Sequence, residues 1–169
     1  WDVFCRVVDN FGDAGFCWRL ARMLAVTHGL DVTLRIDRID ALARIVAGID
    51  ADRADQRIDG VRVVSFDAAD AMPAQVVVEA FGCGLPDRYL DSMETKPPVW
   101  INLEYLSAEA WVDGVHGLPS PQPQRPLTRW FFFPGFTPAT GGLLREPGLL
   151  ALRDRMVGPL RYDDVLDIS

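Results

Sequence analysis

The sequence predicts an α/β fold, a mostly parallel sheet with helices on both faces. Three observations predict it. Short apolar runs recur along the chain. Each ends in a polar or glycine-marked turn, and most of those turns lead into apolar residues at helical spacing. The length, 169 residues, suffices for one domain with its own core. Strands that alternate with helices are joined by crossovers, which make neighbouring strands parallel and cover both faces of the sheet.

Residues 3–8 are nearly all apolar and read as a first, buried strand. Residues 15–27 read as a helix, with Phe16, Leu20, Met23 and Leu24 on one face and His28-Gly29 as its stop. Residues 31–36 alternate at period two and form a second strand. A short helix at 40–46 and a polar stretch at 50–60 follow. Residues 61–66 and 75–78 read as strands three and four, 86–94 as a helix and 98–103 as strand five. Ser107 caps a helical turn at 107–111, and 130–133 is the sixth strand. The segment 114–126, rich in Pro, Gly and Gln, reads as loop, and so does 137–147. Both exceed plain connections, and long ordered loops tend to carry function. The pattern fades after residue 153, so the domain is expected to run over 1–154, with 155–169 a tail that adds no strand.

Composition excludes several classes. The chain is 49% hydrophobic and 24% charged, as soluble globular proteins are. Its formal net charge is −7 and no Lys/Arg block occurs, which argues against nucleic acid and suits a basic partner. No apolar run approaches the ~20 residues of a membrane span. Cys5, Cys17 and Cys83 form no CxxC pair, which argues against disulfides and structural zinc and for buried thiols in a reducing cytoplasm. The start at Trp1 has no basic signal-peptide region and no Met, so a few residues are expected to precede it.

Candidate chemistry gathers where strands end, because ligands of parallel α/β sheets bind beyond the carboxyl ends. The first such loop is Val7-Val8-Asp9-Asn10-Phe11-Gly12-Asp13-Ala14-Gly15. It carries two carboxylates four residues apart and two glycines. On spacing alone two readings stay open. Asp9 and Asp13 cap and tighten a helix start, or they face a cleft to hold a cation or take a proton. The helix start with Gly12 and Gly15 offers backbone N–H groups to an anion. The loop is neither GxGxxG nor a P-loop. Glu79 follows strand four, and Glu104 and Tyr105 follow strand five, on the same expected edge. His28 and His116 lack metal-ligand spacing, and Ser107 and Ser120 lack a His/Asp set.

Six blocks carry a family resemblance. They are Trp1-Asp2-Val3-Phe4-Cys5, the loop Val8 to Gly15, Cys17-Trp18-Arg19-Leu20-Ala21-Arg22, Trp100-Ile101-Asn102-Leu103-Glu104-Tyr105-Leu106-Ser107-Ala108-Glu109, Gly117-Leu118-Pro119-Ser120-Pro121-Gln122-Pro123 and Phe131-Phe132-Phe133-Pro134-Gly135-Phe136-Thr137. In this order the chain resembles the bacterial elongation factor P arginine rhamnosyltransferases up to about Asp154. The resemblance implies a GT-B glycosyltransferase, two Rossmann-like domains facing a cleft. It implies transfer of rhamnose from dTDP-β-L-rhamnose to an arginine of elongation factor P, with inversion and without a metal or other cofactor. Asp9 and Asp13 match the family's two first-loop aspartates, and Asp13 matches the general base. The implied substrate-binding set is Asn10, Phe11, Gly12, Gly15, Glu79, Glu104 and Tyr105. The family's second, donor-binding domain and its Arg-Gly-Glu-Asp-Ser motif do not occur in these residues, so the chain reads as the acceptor-binding half. Two alternatives remain: a GT-B transferase using another nucleotide sugar, and a domain that binds elongation factor P without transferring anything.

Overall fold

Eight strands pair into one sheet in the order β3-β4-β2-β1-β5-β6-β8-β7. The computed structural model describes residues 1–9, 11–69 and 72–157. The strands are β1 (Asp2–Cys5), β2 (Val32–Ile36), β3 (Asp55–Ile58), β4 (Val61–Ser65), β5 (Val76–Ala80), β6 (Val99–Leu103), β7 (Pro119–Pro121) and β8 (Thr128–Phe132). The helices are α1 (Gly12–His28), α2 (Ile39–Ala43), α3 (Asp87–Thr95) and α4 (Leu149–Val157), with a 3-10 turn at Ala110–Gly114. Strands β1, β2, β4, β5, β6 and β8 are parallel. Numbered among themselves they run 3-2-1-4-5-6, the doubly wound order of Rossmann-like sheets. The expected α/β architecture is therefore present, with all six anticipated strands in it. The order reverses between β1 and β5, and the crevice beyond their carboxyl ends is where such sheets bind ligands.

Strand alternation builds two cores. Val3 and Cys5 of β1, with Val32, Leu34 and Ile36 of β2, pack under α1 through Ala14, Cys17, Trp18, Ala21 and Leu24. The small Ala and Cys residues let the helix lie close to the sheet. Phe4, Val77 and Trp100 point to the other face, where Tyr89 and Met93 of α3 meet them with Phe66 and Leu127. Helices thus cover both faces. Gly29 ends α1 in the left-handed conformation (φ 65°), and its N–H bonds to Ala25 O at 3.1 Å.

Several elements differ from the sequence reading, each for a local reason. The polar stretch 50–60 contains β3, which forms an antiparallel hairpin with β4 through Asp59-Gly60. Both residues have positive φ (48° and 80°), as a two-residue hairpin turn demands. The loop at 114–126 contains β7, whose prolines are tolerated because it is the sheet edge. Helix α1 begins at Gly12, not Gly15. The turn expected at 107–111 is a 3-10 turn displaced to Ala110–Gly114, because the Ser107 hydroxyl instead accepts the Glu109 N–H at 3.1 Å. Helix α4 runs across the expected boundary at residue 154, and the rest of the tail lies outside the described residues.

Candidate active site

Asp13 sits in the first turn of α1, directly beyond β1. It is 2% exposed. Its Oδ2 accepts the backbone N–H of Val8 at 2.9 Å and of Asp9 at 3.0 Å. Its Oδ1 accepts the hydroxyl of Tyr105, which follows β6, at 3.0 Å. Three donors from two loops thus hold this carboxylate in one orientation. A carboxylate oxygen has room for two donors, so Oδ1 keeps one acceptor site. Desolvation, and then the bond to Asp13, push the Tyr105 phenol up to about 12.

Asp9 lies beside it, exposed. Asp9 Oδ2 occupies the space where a Gly12 side chain would start, 2.9 Å from an ideal Cβ. Glycine at 12 is therefore what lets the first carboxylate fold back over the helix start. Among the described residues no basic side chain pairs with Asp9 or Asp13.

These groups open on a pocket of about 590 Å³. One wall is the loop residue Asp9 with Gly12, Asp13, Phe16 and Arg19 of α1; the other elements contribute Phe81, Tyr105, Leu106, Pro134, Leu143 and Leu144. The pocket is acidic at the β1 end and mostly apolar elsewhere, with the Arg19 guanidinium also in its wall. Leu143 and Leu144 belong to the long loop 137–147, which two devices bring here. Arg19 of α1 grips Glu146 through Nε at 2.5 Å and Nη2 at 2.8 Å. Gly141 passes so close to Phe132 that a Cβ would collide with its ring. The Arg19 guanidinium holds the Glu146 carboxyl down at about 2.

Of the residues singled out by sequence, the structure brings Asp9, Gly12, Asp13 and Tyr105 together. Glu79 is at the same edge but on the opposite face, since its neighbours Val78 and Ala80 pack under α1. It is buried, accepting Gly84 N–H at 2.9 Å and Arg129 Nη1 at 3.1 Å. Glu104 accepts the side-chain amide of Asn102 instead of facing the pocket. Phe11 turns to the outer side of the loop, near Val8 and Arg38. Gly15 faces Ile45, and its N–H is spent on Phe11 O at 2.8 Å, so it offers nothing to an anion. Asn10 lies outside the described residues. Sequence reasoning missed Phe16, Phe81, Arg19, Glu146 and the two leucines. Only Phe81, directly after β5, carried a positional signal.

Burial raises the Cys83 thiol to about 12, and Cys17 is raised as well, first by its hydrogen bond with Cys5 and then by burial. These thiols stay protonated and unreactive. His116 Nδ1 accepts the Phe133 N–H at 3.0 Å, a structural bond. Among the described residues no group of three or more His, Cys, Asp or Glu is placed to hold a metal ion. No described helix is long and apolar enough to cross a membrane.

Known proteins resemble the chain over nearly its whole length. A family profile described as "Elongation-Factor P (EF-P) rhamnosyltransferase EarP" matches residues 1–163. A protein-arginine rhamnosyltransferase of Pseudomonas putida is 55% identical over 158 residues, 91% of this chain and 42% of its own length. Namesakes in Pseudomonas aeruginosa and Neisseria meningitidis are 47% and 40% identical, over 97% and 93% of this chain and 44% of their own lengths. The chain spans less than half the length of these relatives.

Proposed function

The chain belongs to the elongation factor P rhamnosyltransferase family EarP, and from that premise we propose that it is the acceptor-binding domain of a protein-arginine rhamnosyltransferase. In this reading the whole enzyme transfers rhamnose from dTDP-β-L-rhamnose to an arginine of elongation factor P in the cytoplasm. The donor is held mainly by the part of the relatives' length that this chain does not span. The observation that carries the reading is the buried Asp13 carboxylate, aimed by three hydrogen bonds at the edge of a pocket, with no basic side chain paired to it among the described residues.

The chemistry follows from that arrangement. A guanidinium is planar, has a pKa above 12 and is a poor nucleophile while protonated. Two neighbouring carboxylates suit its forked N–H groups. Asp9 takes one side of the fork. Asp13 Oδ1, with its remaining acceptor site, takes the proton of the attacking nitrogen. That nitrogen bonds to C1 of the sugar from the side opposite the leaving group. The bond from C1 to the diphosphate oxygen breaks, its electron pair leaves with dTDP, and the anomeric centre inverts. Phe16 and Phe81 supply an apolar surface for the arginine's methylene stem. Charge is handled by fixed carboxylates, and the reading assigns no metal or other cofactor.

A second reading is favoured by the share of the relatives that the chain covers, 42–44% in the three compared. By itself the domain binds elongation factor P and transfers nothing. Two assays decide. An enzyme of full family length carrying this domain should add one deoxyhexose to the acceptor arginine, read by mass spectrometry. The domain alone should bind the acceptor protein without modifying it. Failure of the full-length enzyme to transfer rhamnose contradicts the first reading.

A further inference from the structure

Phe81 is the one pocket residue whose backbone is unusual. Its φ is 57°, a left-handed conformation that is uncommon for a bulky residue, and a glycine there would be unstrained. Gly82 follows with φ 60°, so the turn itself already has its glycine. The chain nevertheless keeps a large ring at 81. That ring lies flat on Tyr105, with centroids 4.1 Å apart and planes 7° apart, and meets Phe16 edge-on at 5.7 Å. Its N–H bonds to Leu103 O at 2.6 Å, extending the β5–β6 ladder one step past the strand ends. The ladder therefore pins Phe81 to Leu103, two residues before Tyr105. Tyr105 is 53% exposed, so little besides the stack and the Asp13 bond restrains its ring.

We infer that Phe81 is a positioning residue: its left-handed backbone holds an aromatic plate against Tyr105 and so fixes the tyrosine hydroxyl on Asp13 Oδ1, at the pocket that both residues line. The hydroxyl takes one acceptor site of Oδ1 and thereby sets the direction of the other, the site that meets the acceptor nitrogen. The inference rests on the rhamnosyltransferase reading for its catalytic consequence, but not for its geometry.

The test uses an enzyme of full family length with Phe81→Tyr, Phe81→Leu, Phe81→Asn and Tyr105→Phe. Asn tolerates the left-handed backbone but has no ring, Leu keeps apolar bulk without a flat face, and Tyr keeps the plate. Two quantities are read: ionisation of the Tyr105 phenol by ultraviolet absorbance at pH 11, using Tyr105→Phe as the blank, and kcat with acceptor KM at neutral pH. In the unmodified enzyme the phenol is held at about 12 and stays mostly protonated. In the Leu and Asn variants it should return toward the usual value near 10 and ionise. Their kcat should fall about tenfold or more, as loss of orientation does, with acceptor KM within about threefold. Phe81→Tyr, which adds a second phenol and is therefore read by kcat and KM alone, should keep both, and Tyr105→Phe should lose kcat as the Leu variant does. A folded Asn or Leu variant with an unmoved phenol or an unchanged kcat overturns the inference. So does wild-type turnover in Tyr105→Phe, which keeps the stack and settles the point if the Phe81 variants do not fold. Should the unmodified enzyme transfer no rhamnose, the functional reading fails and the phenol measurement alone judges the positioning.

Discussion

Two aspartates at opposite ends of the sheet share a design and differ in one component. Asp2, in β1, is 5% exposed, and Asp13, beyond β1, is 2% exposed. Each accepts a tyrosine hydroxyl: Tyr89 at 2.6 Å for Asp2, Tyr105 at 3.0 Å for Asp13. Each of those tyrosines meets a phenylalanine ring, Phe4 or Phe81. At Asp2 a guanidinium completes the set. Arg35 Nε donates to Asp2 Oδ2 at 3.0 Å, and its guanidinium carbon lies 5.3 and 5.1 Å from the ring centroids of Phe4 and Tyr89. At Asp13 that place is open to the pocket. A buried charge left without a counter-charge is costly, so one is expected to be supplied from outside. The closed end shows, within this molecule, how a guanidinium sits between a buried carboxylate and aromatic rings. The open end has the carboxylate, the tyrosine and the rings, and the proposed substrate brings the guanidinium.

This contrast can be broken from either end, and the closed end should respond most in stability. Asp2→Asn takes away the buried carboxylate that accepts from both Arg35 and Tyr89. Removing one partner of such a pair costs about 3 kcal/mol or more, which urea unfolding will read as a lower midpoint at unchanged slope. Turnover per folded molecule should be unaffected.

At the open end, Asp9→Ala removes an exposed carboxylate that pairs with no basic side chain among the described residues. Stability should stay within about 0.5 kcal/mol. Acceptor binding, measured by calorimetry with the full-length enzyme, should weaken by roughly tenfold, the worth of a charge-assisted hydrogen bond of about 1.5 kcal/mol. Unchanged affinity would remove Asp9 from the site.

The two glycines separate next. Gly12→Ala pushes a Cβ into the Asp9 carboxylate and should lower transfer several-fold. Gly15→Ala meets only Ile45 Cδ1 at 3.5 Å. Within a helix that change should be neutral or stabilising, by up to about 1 kcal/mol, and leave transfer intact. Equal effects of the two would contradict the geometry.

The smallest effect concerns the far wall of the pocket. Glu146 is held at about 2, below its ordinary 4.5, by Arg19. A depressed carboxyl stabilises the fold above the ordinary value, and that contribution fades as pH falls from about 4.5 toward 2. Arg19 and Glu146 side chains are 45% and 26% exposed, so solvent screening limits the pair to about 1 kcal/mol or less. Glu146→Gln should therefore lower the unfolding midpoint slightly at pH 7, and the gap should close on acidification.

How far the sequence reveals this arrangement depends on the range of the forces involved. The parallel strands and α1 were legible because apolar period and Gly29 are local signals. Asp9, Asp13 and Tyr105 were legible because each follows a strand end. The β3–β4 hairpin was missed although Asp59-Gly60 announces it, since β3 is a short, polar strand at the sheet edge. Glu79 was misplaced for lack of register: one residue along β5 turns a side chain to the other face. The tertiary pairs, Arg19 with Glu146 and Phe81 with Tyr105, join residues 127 and 24 positions apart, and no local pattern encodes them.

Asp13, held by three hydrogen bonds and with no basic side chain paired to it among the described residues, is proposed to receive an incoming guanidinium. Rhamnose transfer by Asp13→Asn in the full-length enzyme, with its melting temperature measured on the same sample, tests this role most directly. Asn keeps the size and can keep accepting hydrogen bonds through its oxygen, but it cannot take the proton. The melting temperature should stay within a few degrees of the unmodified enzyme, and turnover should fall by about 10²–10⁴-fold, the usual worth of a general base. Turnover near that of the unmodified enzyme would make Asp13 a helix-start anchor and not the base.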